Sequence, residues 1–306
     1  NDQQSNAACV ILSGTGADGS TGLRAIKENG GLCVVQEPST AKYDGMPVSA
    51  TGTGLVDFVK PPQQILSCIG GFFFRKNQSA EERERNDVAD IVDDLCSALR
   101  RTIGHDFAGY KQTTFVRRVE RRMHVLGISR GYEYLQRVQR DHDECEALFR
   151  DLLINVTRFF RDRSSFDVLN EHAITRLMQD SAGSQEGVRV WIPGCSSGEE
   201  AYTIAILFAQ AAKTLNVPCN VQIFATDIDE SMLRIAREGS YPIAQLADIP
   251  HELQEQYVIP HKERFNFVGQ IRDMIRFSGH SLIKDPPFSK VDLVSCRNLL
   301  IYFDDK

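Results

Sequence analysis

The chain has 306 residues, 42% of them hydrophobic and 25% charged, with a formal net charge of −6 at neutral pH. That length allows two or three cores, and the composition is that of a globular protein rather than a disordered or fibrous one. The acidic balance argues against nucleic acid as a partner, and no run approaches the roughly 18 consecutive apolar residues of a membrane span. The eight cysteines (9, 33, 68, 96, 145, 195, 219, 296) are scattered without a CxxC pair. This predicts neither a metal cluster nor a disulfide framework, and a reducing cytoplasm.

Residues 8–59 alternate strand and helix signals: ACVILS, GSTGLRAIKENG, GLCVVQ and LVDFV. That pattern predicts α/β structure with parallel connections. Residues 75–86, RKNQSAEERERN, are almost entirely polar and read as linker or solvated helix start. From Val88 to about Asp180 the apolar period becomes helical. Ile91, Leu95 and Leu99 mark one helix; Phe115, Val119 and Met123 mark another. No proline falls between Pro62 and Pro193, as a helical segment requires.

From Val188 the α/β character returns in the most informative stretch, VRVWIPGCSSGEEAYTIAILFAQ followed by VQIFATDID. A strand entering a glycine turn and then a helix is the frame of a nucleotide-class ligand site, because glycine lets backbone approach the ligand and the helix start offers free N–H groups. Here the glycines are spaced Gly194-x-x-x-Gly198 and are followed by Glu199 and Glu200. A pyrophosphate would meet two negative charges there. A ligand with a ribose and a positive charge, such as S-adenosylmethionine, fits better, with Asp227 at the end of the next strand placed to accept from a ribose diol. An ordinary βαβ unit with an acidic helix start is the plainer alternative.

Three further motifs accompany it: NVTRFFRD (Asn155–Asp162), VDLVSCRNLLIYFD (Val291–Asp304) and a basic helix at 115–124. Together with the glycine turn and ATDID they resemble the chemotaxis-receptor glutamate methyltransferases, the CheR family, from about residue 90 onward. The first 70 residues, through LSGTGADGSTGL (Leu12–Leu23) and DGMP (Asp44–Pro47), resemble the C-terminal part of the chemotaxis receptor methylesterase. The resemblance implies an α/β fold: a class I S-adenosylmethionine-dependent methyltransferase sheet domain, preceded by an all-helical domain and an α/β methylesterase fragment. The expected boundaries are a methylesterase-like fragment at 1–70, a linker at 71–87, a helical receptor-docking domain at 88–160, a connecting helix at 161–187 and the methyltransferase domain at 188–306, with a small β-subdomain near 257–277. Class I sheets have more strands than remain after VDLVSC, so the sheet is expected to be truncated.

The resemblance also implies site residues. Cofactor contacts fall on Asn155, Thr157 and Arg161 of the first motif, Glu199 and Glu200 of the glycine turn, and Asp227. Ser281 and Leu282 of FSGHSLI, and Arg297 and Asn298 of CRN, complete the set; the family usually has Asn where Ser281 stands. Arg161 and Tyr302 resemble the groups nearest the reacting atoms, with helix capping and core packing as their plainer roles. Arg117, Arg118, Arg121 and Arg122 lie on two adjacent stripes of one helix and are expected to dock the acidic methylation helices of receptors. Implied activity is methyl transfer to receptor glutamates, yielding S-adenosylhomocysteine; the alternative is a non-catalytic S-adenosylmethionine-binding signalling module. Asp18 resembles one member of the methylesterase triad, yet residues 1–104 contain no histidine. The expectation is therefore no esterase activity. No metal, nucleic acid or membrane insertion is expected.

Overall fold

The computed structural model describes residues 3–17, 19–76, 88–153, 155–181 and 186–303. The chain divides into two compact units, one running to Ile154 and rejoined by the stretch from Ile301, the other Asn155–Leu300.

The first unit opens with a parallel sheet in the order β1-β2-β3, formed by Ala8–Ile11, Leu32–Gln36 and Phe58–Lys60. Strand β2 reads LCVVQ and is buried throughout, the continuous apolar run expected of a central parallel strand. Helices α1 (Ser20–Glu28), α2 (Gly45–Thr51) and α3 (Pro62–Lys76) accompany it. Helix α3 takes in 71–76, which the sequence assigns to a linker. The reason is Phe72, buried against Leu32, Val34 and Ile65. The rest of that linker stretch, 77–87, lies outside the described residues.

Four helices follow: α4 (Val92–Thr102), α5 (Gln112–Leu126), α6 (Gly131–Arg140) and α7 (His142–Leu153). Phe115, Val119 and Met123 form the buried stripe of α5, as their spacing predicts. The arginines between them do not form the solvent-facing quartet that the sequence suggests; only Arg117 is exposed. Arg118 is buried, its Nε has no hydrogen-bond partner among the described residues, and burial pushes its pKa down to about 10, with Arg117 and Arg121 pushing the same way. Arg121 is 6% exposed and donates to Asp151 at 2.6 Å and Asp57 at 2.7 Å. Arg122 makes a two-pronged contact with buried Glu144, at 2.8 and 2.7 Å, and Tyr134 Oη donates to the same carboxylate at 3.0 Å. Helical spacing tells which arginines share a stripe; it does not tell which stripe faces water.

The second unit is built on a parallel sheet in the order β10-β4-β5-β9, from Leu293–Val294, Val188–Pro193, Val221–Asp227 and Ile275–Gly279. This order puts β4 between its sequence neighbour β5 and the late strand β10. The chain thus reverses direction of winding beside β4, and ligands of open α/β sheets bind at such a switch point. Ahead of the sheet come Asn155–Asp162, then α8 (Arg163–Leu169), a π turn (Asn170–Ile174) and α9 (Thr175–Asp180). Asn155–Phe160 therefore belong to the sheet unit, not to the helical domain where the sequence reading ended at 160. Helix α10 (Glu199–Leu215) is buried without interruption from Ala201 to Ala209, because it is covered on several sides.

A small antiparallel sheet, β6-β8-β7, pairs Ser240–Pro242, Arg264–Phe267 and Val258–Pro260. The sequence places this subdomain near 257–277. Instead its third strand comes from upstream, and Ile275–Gly279 joins the main sheet because its apolar residues complete the large core. Its aromatics reach that core: Phe267 stacks on Tyr202 at 4.5 Å and Phe159 meets Tyr241 edge-on at 5.0 Å. Helices α11 (Glu230–Glu238), α12 (His251–Tyr257) and α13 (Gly269–Asp273) complete the unit. Among the described residues no helix is long and apolar enough to cross a membrane.

Removing Glu144 would leave Arg122 charged, buried and without its partner. The expected cost of Glu144→Ala is about 3 kcal/mol, read as a lower urea midpoint at unchanged slope. A shift within error would show that Arg122 finds water instead.

Candidate active site

The site is assembled around the turn between β4 and α10. Gly194 and Gly198 have φ of +69° and +97°, and a Cβ on Gly198 would sit 3.0 Å from Tyr241 Oη and Ala236 Cβ. Both glycines are therefore favoured by backbone conformation, and Gly198 also by space. The turn is held on three sides. Cys195 N–H donates to Thr226 O at 3.0 Å, Tyr241 Oη donates to Ser197 O at 2.6 Å, and Ser196 N–H donates to Asp227 Oδ2 at 2.7 Å.

Asp227 ends β5 as a buried residue, 8% exposed, its carboxylate also accepting from Asp229 N–H at 2.9 Å. Burial raises its pKa to about 6, against the lowering effect of those backbone donors. Each oxygen retains a lone pair, so the ribose-accepting role that the sequence suggests is chemically open, beside a loop-fixing role that it did not reveal. Asp229 in turn caps α11, accepting from Ser231 N–H at 2.9 Å, and receives Asn155 Nδ2–H at 2.6 Å. Asn155 is thereby tied to the helix cap, with Ser196 Oγ 3.5 Å from its carbonyl oxygen.

The two glutamates have different surroundings. Glu199 is fully buried and accepts from Ser197 Oγ at 2.6 Å. Glu200 accepts from Ser295 Oγ at 2.6 Å, and burial raises its pKa while Ser295, Arg297 and Arg161 pull it back. Arg161 and Arg297 are thus both near enough to favour the ionised form of Glu200. Arg297 donates to Arg161 O at 2.9 Å and Asp162 Oδ2 at 3.0 Å, with its guanidinium 4.6 Å from the Phe166 ring centre. It thus positions the loop that carries Arg161, whose own Nη1 donates to Val156 O at 3.0 Å.

That loop is strained. Among the described residues, six non-glycine residues have positive φ, and four of them, Phe160, Asp162, Ser196 and Asn298, are neighbours or members of the sequence-predicted set. Strain of this kind persists where surrounding structure enforces it, and it concentrates at functional sites. Phe160 N–H is fixed by Thr203 Oγ1 at 3.2 Å, and Thr203 donates to Glu199 O at 2.7 Å. Thr157 is half-buried on the same loop.

The remaining predicted residues are less tightly built in. Ser281 starts a turn, its N–H donating to Asp285 Oδ2 at 2.7 Å and its hydroxyl accepting from Lys284 N–H at 3.3 Å, with Leu282 half-buried beside it. Asn298 is exposed. Tyr302 belongs to the other compact unit, where its carbonyl accepts from Lys111 N–H at 2.9 Å. Asp18 lies outside the described residues. Sequence reasoning missed Ser196, Ser295 and Thr203 as supports. For Asp229 a signal existed: Asp followed two residues later by Ser at a helix start is a capping pattern.

Residues 155–306 match the family described as CheR methyltransferase, SAM binding domain, and residues 92–153 match its all-alpha domain. A chemotaxis protein methyltransferase of Borreliella burgdorferi is 31% identical over 236 residues, covering 75% of this chain and 83% of that protein. The chain belongs to the CheR methyltransferase family. The chemotaxis protein methyltransferase of Listeria innocua is similar, 32% identical over 210 residues, with 67% of this chain and 76% of that protein covered. Residues 1–69 match the CheB methylesterase family. An uncharacterized 104.1 kDa protein from the hypE 3' region of Rhodobacter capsulatus is 35% identical over 322 residues; that alignment spans 98% of this chain and about a third (34%) of the longer protein.

The matched domain of that family is an S-adenosylmethionine-binding one, and the residues present fit that ligand. A turn flanked by Gly194 and Gly198 lets backbone approach, buried Asp227 offers acceptor capacity, and two glutamates at the helix start suit a cation better than a phosphate. With the Asp227 carboxyl raised to about 6 by burial, S-adenosylhomocysteine affinity should fall by up to about tenfold between pH 7.5 and 5, as a charged acceptor becomes neutral. Calorimetry across that range tests this. Asp227→Asn should bind weakly and without the pH dependence, whereas a flat wild-type profile would remove Asp227 from the ligand.

Proposed function

We propose that this chain carries the methyl-transfer apparatus of a protein-glutamate O-methyltransferase whose substrates are the cytoplasmic helices of chemoreceptors. What carries the reading is the grouping of Arg161, Glu200 and Arg297 beside the glycine turn, in a chain whose relatives bear the name chemotaxis protein methyltransferase. Bound S-adenosylmethionine supplies an electrophilic methyl on a sulfonium centre. A glutamate nucleophile is already ionised near neutral pH, so the protein has to position it in a water-poor site rather than deprotonate it. In this reading Arg161 holds the incoming carboxylate by a charge-assisted hydrogen bond and the Tyr302 hydroxyl orients it. Glu199 and Glu200 supply negative charge for the sulfonium. Asn155, Thr157, Asp227, Ser281, Leu282 and Asn298 complete the cofactor contacts, with Arg297 acting through the Arg161 loop.

Arg117, the exposed member of the basic helix, is the docking charge in this scheme. The β7–β8 connection is only His261–Glu263, leaving little backbone for an added receptor-tail strand. The methylesterase-like segment, without histidine up to His105, brings no imidazole base and no esterase activity of its own.

The test is transfer of labelled methyl from S-adenosylmethionine to receptor cytoplasmic fragments, read as base-labile ester. Arg161→Ala and Tyr302→Phe should each lower kcat/KM by about 10- to 100-fold, the loss of one charge-assisted contact. Tyr302→Phe should leave S-adenosylhomocysteine affinity unchanged; a wild-type rate in that variant removes the hydroxyl from the mechanism. Cofactor binding without transfer to any receptor fragment would instead support the non-catalytic signalling module.

Arg117→Glu should slow receptor methylation by about fivefold at low salt and flatten its salt dependence, with cofactor binding intact. Unaltered salt dependence would move docking to another face.

A further inference from the structure

The arginine helix is fastened to the methylesterase-like segment. Lys27 of α1 and Asp57, just ahead of β3, come from that segment; Arg121 of α5 and Asp151 of α7 come from the all-helical domain. Lys27 Nζ lies 2.8 Å from Asp57 Oδ1 and 2.8 Å from Asp151 Oδ1. Arg121 Nη2 lies 2.7 Å from Asp57 Oδ2, and its Nη1 lies 2.6 Å from Asp151 Oδ2. The four charges alternate in sign, so each touches two opposite charges and the ring is neutral. All four side chains are about nine-tenths buried or more, from 0% exposed at Asp57 to 10% at Lys27.

The remaining polar capacity is also met across the junction. Arg121 donates to Gly31 O at 2.7 Å and to Gly30 O at 3.3 Å, the two carbonyls that follow α1. These carbonyls are presented by a turn that needs glycine: Gly30 has φ +78°, and a Cβ on Gly31 would meet Ala7 O at 2.5 Å. Cys33 N–H donates to Asp57 Oδ2 at 2.9 Å, tying the ring to β2. Beside the ring, Val125 of α5 joins an apolar cluster with Leu32, Val34, Ile65 and Phe72 of the first segment. Buried charge networks contribute little net stability compared with apolar packing, but they discriminate sharply against any arrangement that leaves one charge alone.

We propose that residues 3–76 are a structural partner of the all-helical methyltransferase domain, locked onto its arginine helix by this ring. The two segments open as one cooperative unit, and Arg121 is a fastening residue rather than a receptor contact. The inference is independent of what the methyltransferase site acts upon. It names the face of α5 that the first segment covers.

Hydrogen exchange on the full chain tests it, because exchange reports the opening of each segment separately. Asp151→Asn in the helical domain should speed exchange in β2, Leu32–Gln36, by at least about tenfold, and Lys27→Met in the first segment should do the same in Phe149–Leu152. The melting midpoint should fall by about 10 °C in each. The double variant should lose much less than the sum, since the two side chains share a contact. Acceleration confined to the substituted segment, or additive losses, would overturn the proposal. If the variants fail to fold, the unmodified chain in rising urea decides: exchange in β2 and in α5 should converge at one denaturant concentration. Convergence at two separate concentrations would show independent domains.

Discussion

One buried carboxylate sets the geometry of the candidate site. Asp227 ties the N–H of Ser196, in the turn after β4, to the N–H of Asp229, at the start of α11. Two loops from neighbouring strands are thus fixed relative to one atom group at the end of β5. Asp229 extends the tie to Asn155, and Thr203 extends it to Phe160. Without a common anchor the positive-φ residues of these loops would relax, because nothing local favours a left-handed phenylalanine. The anchor is costly. Raising an aspartate to about pKa 6 corresponds to about 3 kcal/mol against the ionised form at neutral pH. A structural role alone would be met more cheaply by an uncharged acceptor. That a carboxylate stands there fits a ligand whose hydroxyl donors favour the ionised form.

Much of this was legible in the sequence. The run VRVWIP, the glycine spacing and the ATDID terminus define β4, the turn and β5 because strand period and turn chemistry are local properties. The methylesterase and methyltransferase resemblances are likewise carried by contiguous motifs. Other features depend on what is brought near from elsewhere. Nothing around Ser295 signals that its hydroxyl would meet Glu200, 95 positions away in sequence. Phe72 drew α3 through a stretch that composition marks as linker. Ser240–Pro242 found its partner in Arg264–Phe267 through backbone pairing that the hydrophobic pattern of three residues cannot encode.

The arginine helix shows the same limit from the electrostatic side. Composition marks TTFVRRVERRMH as basic and amphipathic, which is correct for its apolar stripe. Arginine, however, carries a long apolar stem and a planar fork of donors, so it serves a buried junction as readily as a surface. Which use applies depends on whether carboxylates arrive from other elements. Glu144 and Asp151 come from α7 and Asp57 from the methylesterase-like segment, leaving only Arg117 to water.

Two sets of buried carboxylates therefore respond oppositely to acid. Asp57 and Asp151 are held below the usual range: burial alone would raise them, but Lys27 and Arg121 outweigh it. Their contribution is present above the unfolded aspartate pKa and is lost as pH falls through their depressed folded values. Asp227 is raised, so its ionisation disfavours the folded state as pH climbs from the unfolded aspartate value through about 6. At neutral pH the junction is at full strength while the candidate site carries its electrostatic strain. A ligand that donates hydrogen bonds to Asp227 would relieve that strain. The fold thus keeps four buried charges paired with one another at the domain junction and leaves, among the described residues, a single strongly raised aspartate at the end of β5.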